Sequence, residues 1–347
     1  MVTLGIDAHK RTHTVVAVDD VGRELGAKTT TATTTADHLE LLRWAQRFDG
    51  ERTWAVEDCR HLSRRLEADL LVAGEKIKRV PPKLMAQARD AARTYGKSDP
   101  IDALAVARAS LRHPDLPIAQ LDGPSRELRL LVDHREDLVN ERTRCINRLR
   151  WHLHELEPGW DPTARSLTSY NNIDQVAARL ARLDGMVARV AGEIAADIRA
   201  LTIRERALGR EITQRVTTLA PTLLAIVGVG ALTAAKIVAE VADIRRFTNK
   251  DAFARHNGTA PIPAWSASPH HRLSRTGNRQ LNAAIHRVAI TQARCHTDAI
   301  AYLQRRASAG DTKRKALRAL KRKLSDTIYR ALLADAEPTI GRLDEAA

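Results

Sequence analysis

Four carboxylates stand at positions where an acid can do chemistry. Asp7 closes the alternating run Val2-Thr-Leu-Gly-Ile-Asp7, and Glu57 closes Arg52-Thr-Trp-Ala-Val-Glu57. Asp99 and Asp102 lie three apart in Gly96-Lys-Ser-Asp-Pro-Ile-Asp-Ala103, a spacing that puts both on one face of a helix with Pro100 at its first position. Taken alone, that string reads as capping, with Asp99 the N-cap and Asp102 an acid in the positive first turn. The company upstream changes the reading. Two acids at the ends of neighbouring strands and two at a helix start would repel one another unless a cation compensated. Oxygen ligands without His or Cys select magnesium or manganese, and two such ions ~3.5–4 Å apart stabilise both the attacking and leaving oxygens of phosphoryl transfer. Asp19, Asp20 and Asp58 are competing acids that read as turn or surface residues.

Stepping outward to what must hold these acids, residues 2–7 and 13–19 read as two strands around a short turn, with a weaker third over 23–31. A helical pattern over 36–48, a strand over 52–57, a helix over 62–73, a strand over 77–80 and helices to about residue 113 follow. That order is the order of a ribonuclease H-like, RuvC-like α/β domain over residues 1–115. A Pro- and Asp-rich linker over 114–124 leads into a helical region, residues 125–219. Its two helices are expected over 125–157 and 173–219, the second with Ile173, Val176, Leu180, Leu183, Val187, Val190, Ile194 and Leu201 in heptad spacing. Such a pattern indicates a coiled coil, either a hairpin packed on itself or a dimerisation arm. Residues 220–335 form a third, mainly helical region. Within it, Gly228 and Gly230 sit between two apolar stretches as in a helix-hairpin-helix, whose backbone N–H groups can cradle a DNA phosphate.

The chain has 347 residues, with 56 Lys and Arg against 42 acids, a net charge of +14. That surplus points to a polyanionic partner, nucleic acid above all. Aromatics make up 3%, so phosphate contacts rather than base stacking should carry recognition. Residues 301–330 hold ten Lys and Arg against two Asp, a basic helical face suited to phosphates. Cys59, Cys145 and Cys295 fit no zinc or disulfide spacing and read as reduced core thiols of a cytoplasmic protein. No signal peptide is expected, and the apolar run 222–242 carries Lys236 and Glu240, so it reads as a buried helical hairpin rather than a membrane span.

Gly5-Ile-Asp7-Ala-His-Lys10, Ala55-Val-Glu57-Asp58, Lys97-Ser-Asp99-Pro-Ile-Asp102-Ala103 and Asn257-Gly-Thr-Ala-Pro261 together resemble the DEDD-type insertion-sequence transposases. These are grouped with the Piv/MooV invertases, and their transposase members are bridge-RNA-guided serine recombinases. The likeness runs over nearly the whole chain, as a RuvC-like domain, a coiled coil and a C-terminal transposase domain. It implies that Asp7, Glu57, Asp99 and Asp102 hold catalytic Mg2+ or Mn2+, as two ions, and that a C-terminal serine is the DNA nucleophile. It also implies a structured non-coding guide RNA that pairs with donor and target DNA. Counting from Pro261, Ser266 takes the nucleophile's place; because the family's Ser-Gly pair is replaced by Ser266-Ala-Ser268, Ser268 stays open as the alternative. His270, His271, Arg272, Arg275 and Arg279 surround it and would offset charge on a transferring phosphate.

The expected function is therefore a DNA transposase or recombinase of an insertion sequence, assembled as a homo-oligomer, dimer or tetramer. The alternative is a RuvC-like junction endonuclease that cuts with metal-activated water and needs no serine. An actin-like kinase shares the Gly-Ile-Asp strand start but needs a second α/β half where residues 125–347 offer helices. A non-catalytic basic binding protein would follow if the four acids did not converge.

Overall fold

The computed structural model describes residues 1–336 apart from 58–61, 83, 86–87, 89–97, 115, 117, 120–122, 264–270 and 273–276. The chain falls into two compact units, residues 1–121 with 246–248, and residues 122–245 with 249–347.

In the first unit β1 (Val2–Ala8), β2 (His13–Val18) and β3 (Glu24–Thr29) make an antiparallel meander. β4 (Arg52–Glu57) pairs in parallel with β1, and β5 (Lys76–Val80) in parallel with β4. The sheet order is β3-β2-β1-β4-β5. Four residues suffice to turn β1 back into β2, whereas the parallel step from β4 to β5 needs a crossover, which α2 (Arg64–Val72) provides. α1 (Thr35–Ala45) precedes β4, opened by a capping box between Thr34 and Asp37. α3 (Asp99–Arg112) comes last. This is the ribonuclease H-like element order expected from sequence.

Every residue of β1 and β2 is buried, because both faces of the sheet are covered. The two-residue period sorts their side chains. Leu4, Ile6, Val15, Ala17 and Trp54 pack with Leu41, Leu66 and Leu70 under α1 and α2. Val16 and Val18 meet Ala103 and Ala107, and Ala55 and Val80 meet Ala105, Val106 and Ala109, all on α3. Residues in phase with Gly5 and Ala55 therefore face α3, and Asp7 and Glu57 are in that phase.

The second unit is helical but for a two-residue ribbon. Its longest helices are α4 (Pro124–Leu156) and α6 (Met186–Leu219). They run antiparallel, since Arg215 pairs with Glu127 while Glu205 pairs with Arg135 and Arg142 further along α4. The helix expected over 173–219 is in fact two, α5 (Tyr170–Leu180) and α6. The break falls at Asp184-Gly185, where Gly185 takes φ +102°, a conformation open to a residue without Cβ. Ile173, Val176 and Leu180 from α5 and Ile194 from α6 join Cys145, Leu149 and Leu153 of α4 in one cluster. The apolar stripe is thus covered within the chain over this length, while Leu183 in the break is exposed.

α7 (Pro221–Leu224), α8 (Ala231–Val241) and α9 (Lys250–His256) follow, then α10 (Arg279–Cys295), α11 (Thr297–Ser308) and α12 (Lys313–Ala336). β6 (Ile262–Pro263) pairs antiparallel with β7 (His271–Arg272). Of the expected helix-hairpin-helix, the first helix is a single turn, α7. Lys236 and Glu240 are buried within the helical packing as expected, and among the described residues no helix is long and apolar enough to cross a membrane. The expectation of core thiols holds for Cys145 but not for Cys295, which is exposed at the end of α10; Cys59 lies outside the described residues.

Candidate functional site

A glycine brings the acids of the first unit together. A Cβ on Gly5 would stand 2.1 Å from the Ala103 carbonyl oxygen and 2.5 Å from the Ala107 nitrogen, so α3 lies directly against the backbone of β1. Its first turn consequently sits by the C-terminal end of that strand. His9 shows the closeness: its Nε2 is 3.0 Å from Asp7 Oδ2 and 3.5 Å from Asp99 Oδ1. Asp7 is buried, Asp102 is buried on α3, and Asp99 is exposed. Burial pushes the Asp7 carboxyl above the usual carboxylate range; His9 pulls it back, and the negative charges of Asp102 and Asp99 push it up further. Glu57 reaches the same region by register. Ile6 pairs with Val56, so Asp7 and Glu57 are the next residues on parallel strands about 4.8 Å apart and share the α3 face.

Among the described residues, ligand atoms of Asp7, His9 and Asp99 lie within 4.8 Å of one another, a grouping able to hold a metal ion. Glu57 and Asp102 lie outside that group. An imidazole, His9, stands beside these carboxylates in addition to the four acids expected from sequence. His9 continues the strand's alternation two residues past Asp7, and that phase is the signal that could have singled it out. Of the capping reading, Asp102 does stand in the first turn, but Asp99 is not the N-cap. Ser98 is the N-cap, leaving Asp99 and Pro100 as the first two helical residues and Asp102 turned inward.

The donor set suits a divalent cation. Several carboxylates converge where one of them is already held above its usual range by burial and like charge, and a cation reverses both effects.

The predicted serine region belongs to the second unit. Ser266, Ser268, His270 and Arg275 lie outside the described residues, as does Asp58 of the first unit. Arg272 lies in β7, and Arg279 opens α10 exposed to solvent. What the structure shows is how the flanks of this stretch are pinned. A Cβ on Gly277 would be 2.5 Å from the Gly258 nitrogen, so the two glycines bring both flanks together. The Asn278 N–H donates to the His256 carbonyl at 2.6 Å, and its side chain caps α10 by accepting from the Leu281 N–H. Asn257 is fully buried; its Nδ2 donates to Ser325 Oγ at 2.8 Å, and its carbonyl accepts from Asn282 Nδ2 at 2.7 Å. The buried Lys321 ammonium donates to Asn282 Oδ1 at 2.6 Å, and desolvation lowers its pKa. Lys321 is thus not part of the solvated basic face read from residues 301–330.

Asn278 also donates to the buried Glu240 at 2.7 Å. Glu240 in turn lies 3.6 Å from Lys236, which donates to Glu136 of α4 at 3.0 Å. This network compensates the buried charges within α8 and ties α4, α8 and the start of α10 together. Gly228, with φ +87°, and Gly230, the N-cap of α8, keep the backbone turn expected of them without a bound phosphate being needed to explain it.

Two family models match the chain. One, a DEDD transposase model of the IS110 type, spans residues 4–158; the other, for the IS116/IS110/IS902 transposase family, spans residues 220–304. Among curated proteins, an insertion element IS116 uncharacterized 44.8 kDa protein of Streptomyces clavuligerus is 29% identical, covering 96% of this chain and 94% of its own length. An insertion element IS900 uncharacterized 42 kDa protein of Mycobacterium paratuberculosis is 28% identical, with 95% of each chain covered. Among solved structures, Thermus thermophilus RuvC in complex with a Holliday junction substrate overlaps 33% of this chain and 94% of its own at 19% identity, with a TM-score of 0.27.

Proposed function

We propose that the chain is a DEDD-type insertion-element transposase of the IS110/IS116 kind, as its matches to those family models and relatives support, and that it cleaves and exchanges DNA strands at the acid site with a serine as nucleophile. The observation that carries the reading is the meeting of Asp7, His9 and Asp99 under α3, with Asp102 acting on Asp7 and Glu57 its register neighbour. Asp7, Glu57, Asp99 and Asp102 would hold magnesium or manganese, as two ions. The cation would supply Lewis-acid stabilisation of charge on the transferring phosphate. The protein's part is to hold the carboxylates convergent on a rigid strand end and helix start. His9 orients Asp7 by its hydrogen bond.

Ser266 is the proposed nucleophile, with Ser268 as the alternative. Its Oγ would form a phosphodiester with the DNA strand as the strand's own P–O bond breaks, the hydroxyl proton passing to a neighbouring base. Attack by a DNA hydroxyl on that diester would rejoin strands and release the serine. Gly228, Gly230, Arg272, Arg275 and Arg279 are proposed as contacts to nucleic-acid phosphates. The relation to the Piv/MooV recombinases, a structured non-coding guide RNA, and assembly into a dimer or tetramer through α4, α5 and α6 are further parts of the proposal. Sequencing RNA co-purified with the protein tests the guide; light scattering with and without nucleic acid tests assembly.

The serine step is tested by trapping. Wild type, Ser266→Ala and Ser268→Ala are incubated with insertion-end DNA, denatured, and examined for protein linked to DNA. Linkage lost in Ser266→Ala alone supports the assignment; linkage lost in Ser268→Ala alone moves the role two residues along. The acid site by itself favours a second reading, hydrolysis by activated water, and cutting without linkage in every variant would establish it.

A further inference from the structure

α3 has a second end. Around its last turn and the β2–β3 turn lies a cavity of about 490 Å3 that strand cleavage at the acids leaves unused. Arg23, Arg108 and Arg112 line it together with Val21 and Leu111, and Asp20 is the one acid among its described lining residues. Three guanidiniums against one carboxylate make it an anion-attracting pocket. The turn is built rather than incidental. Asp19 Oδ1 accepts from the N–H groups of Val21 and Arg23 at 3.0 and 2.8 Å, fixing the path of the turn. Gly22, at φ +82°, lies over Arg108 and Leu111, and Arg108 Nε donates to its carbonyl at 3.2 Å. That bond leaves the two terminal nitrogens of Arg108 to serve a ligand. Among the described residues no carboxylate forms an ion pair with any of the three guanidiniums.

The pocket's size lies in the range of small-ligand sites, and its mixture of apolar and guanidinium lining suits a nucleotide better than a bare anion. Guanidinium forks match phosphate oxygens two at a time, while Val21 and Leu111 offer an apolar face to a sugar or base. α3 also sets the distance to the acids. At about 1.5 Å per residue, the helix separates Asp102 from Arg108 by about 9 Å and Asp99 from Arg112 by about 20 Å. With about 3.4 Å per step along one strand of a duplex, that is roughly three to six steps.

We propose that this cavity docks one phosphodiester-linked nucleotide of the DNA strand being processed, roughly three to six steps from the phosphate that reacts at Asp7 and Asp99. The inference rests on the transposase reading. Its role is to fix the register of the strand along α3, so that the correct phosphate meets the acids.

The test uses the full chain with Asp7→Asn to prevent cleavage, alone or combined with Arg23→Gln and Arg112→Gln. Both arginines are exposed, and thermal melting checks that the fold is kept. Binding to insertion-end DNA is measured against salt, then against duplexes carrying a single methylphosphonate at each position in turn. The pocket variant is expected to bind about tenfold more weakly, with a salt slope shallower by about one to two. The parent is expected to be sensitive to one neutralised phosphate roughly three to six steps from the cleavage position, and the pocket variant to have lost that sensitivity. Unchanged affinity, slope and methylphosphonate profile overturn the proposal. So does a defect confined to co-purified RNA, or protection by inorganic phosphate or a mononucleotide with no effect on DNA. Failure of the transposase reading shows separately, as a chain with Asp7 intact that leaves insertion-end DNA uncut in Mg2+ or Mn2+.

Discussion

The acid site of the first unit and the pinned flanks of the serine stretch in the second are both organised by glycines, but to different ends. Gly5 lets a helix lie against the middle of a sheet, so the chemistry sits on elements buried on both faces. Gly277 lets the two flanks of the serine stretch touch at Gly258. A metal site needs several ligands held at once and is therefore built where the fold is most determined.

The largest effect expected from this contrast is on chemistry. Asp7→Asn should lower strand cleavage by about a thousandfold, because a metal site supplies several kcal/mol of transition-state stabilisation. Ser266→Ala should abolish the covalent complex while metal binding is kept. A Ser266→Ala protein that lost metal binding would erase the distinction between the two regions.

Stability sharpens it next. Gly5→Ala drives a methyl into the backbone of α3 and should cost more than about 3 kcal/mol, together with metal binding. Gly277→Ala meets the backbone of Gly258 at the edge of the loop and should cost about 1–3 kcal/mol, with metal binding unaffected. Chemical denaturation beside a manganese titration separates the two outcomes. Asn257→Ala removes the partner of the Ser325 and Thr259 hydroxyls and should cost about 1–3 kcal/mol.

How much of this could be read from sequence depended on whether the cause was local. Asp7 and Glu57 were legible because a hydrophobic alternation that ends in an acid delivers it to a strand end. His9 was not, since one residue past a strand an imidazole reads as part of a turn until α3 is known to lie above it. Lys236 and Glu240 announced burial by their place in an apolar run, but the Lys236 partners Asp133 and Glu136 stand about a hundred residues earlier and nothing local names them. The Asp184-Gly185 break was outvoted by heptads on either side, although the dipeptide is a turn signal. Lys321 reads as surface among basic neighbours, whereas the partner of its buried ammonium, Asn282, comes from another helix.

The smaller predictions concern titration and the imidazole. Burial, with the neighbouring His38 charge, lowers the His13 pKa to about 4. The folded state then binds fewer protons than the unfolded chain between about pH 4 and the ordinary value near 6.5, so stability is present above that window and lost as pH falls through it. The loss should approach about 3 kcal/mol at pH 4, and His13→Asn should flatten it in melts of wild type and variant across pH 4–7. His9→Ala should weaken manganese binding about tenfold without abolishing it, as expected of a residue that orients a ligand.

The most direct test is manganese binding and insertion-end cleavage measured on the same preparations of wild type, Asp7→Asn, Asp99→Asn and Asp102→Asn. The account predicts that wild type binds the ion and cuts in its presence, and that each variant loses both while melting as a folded protein. If Asp99→Asn and Asp102→Asn bound and cut as wild type does, those residues would be acids of a helix start and no metal site would exist at the end of β1.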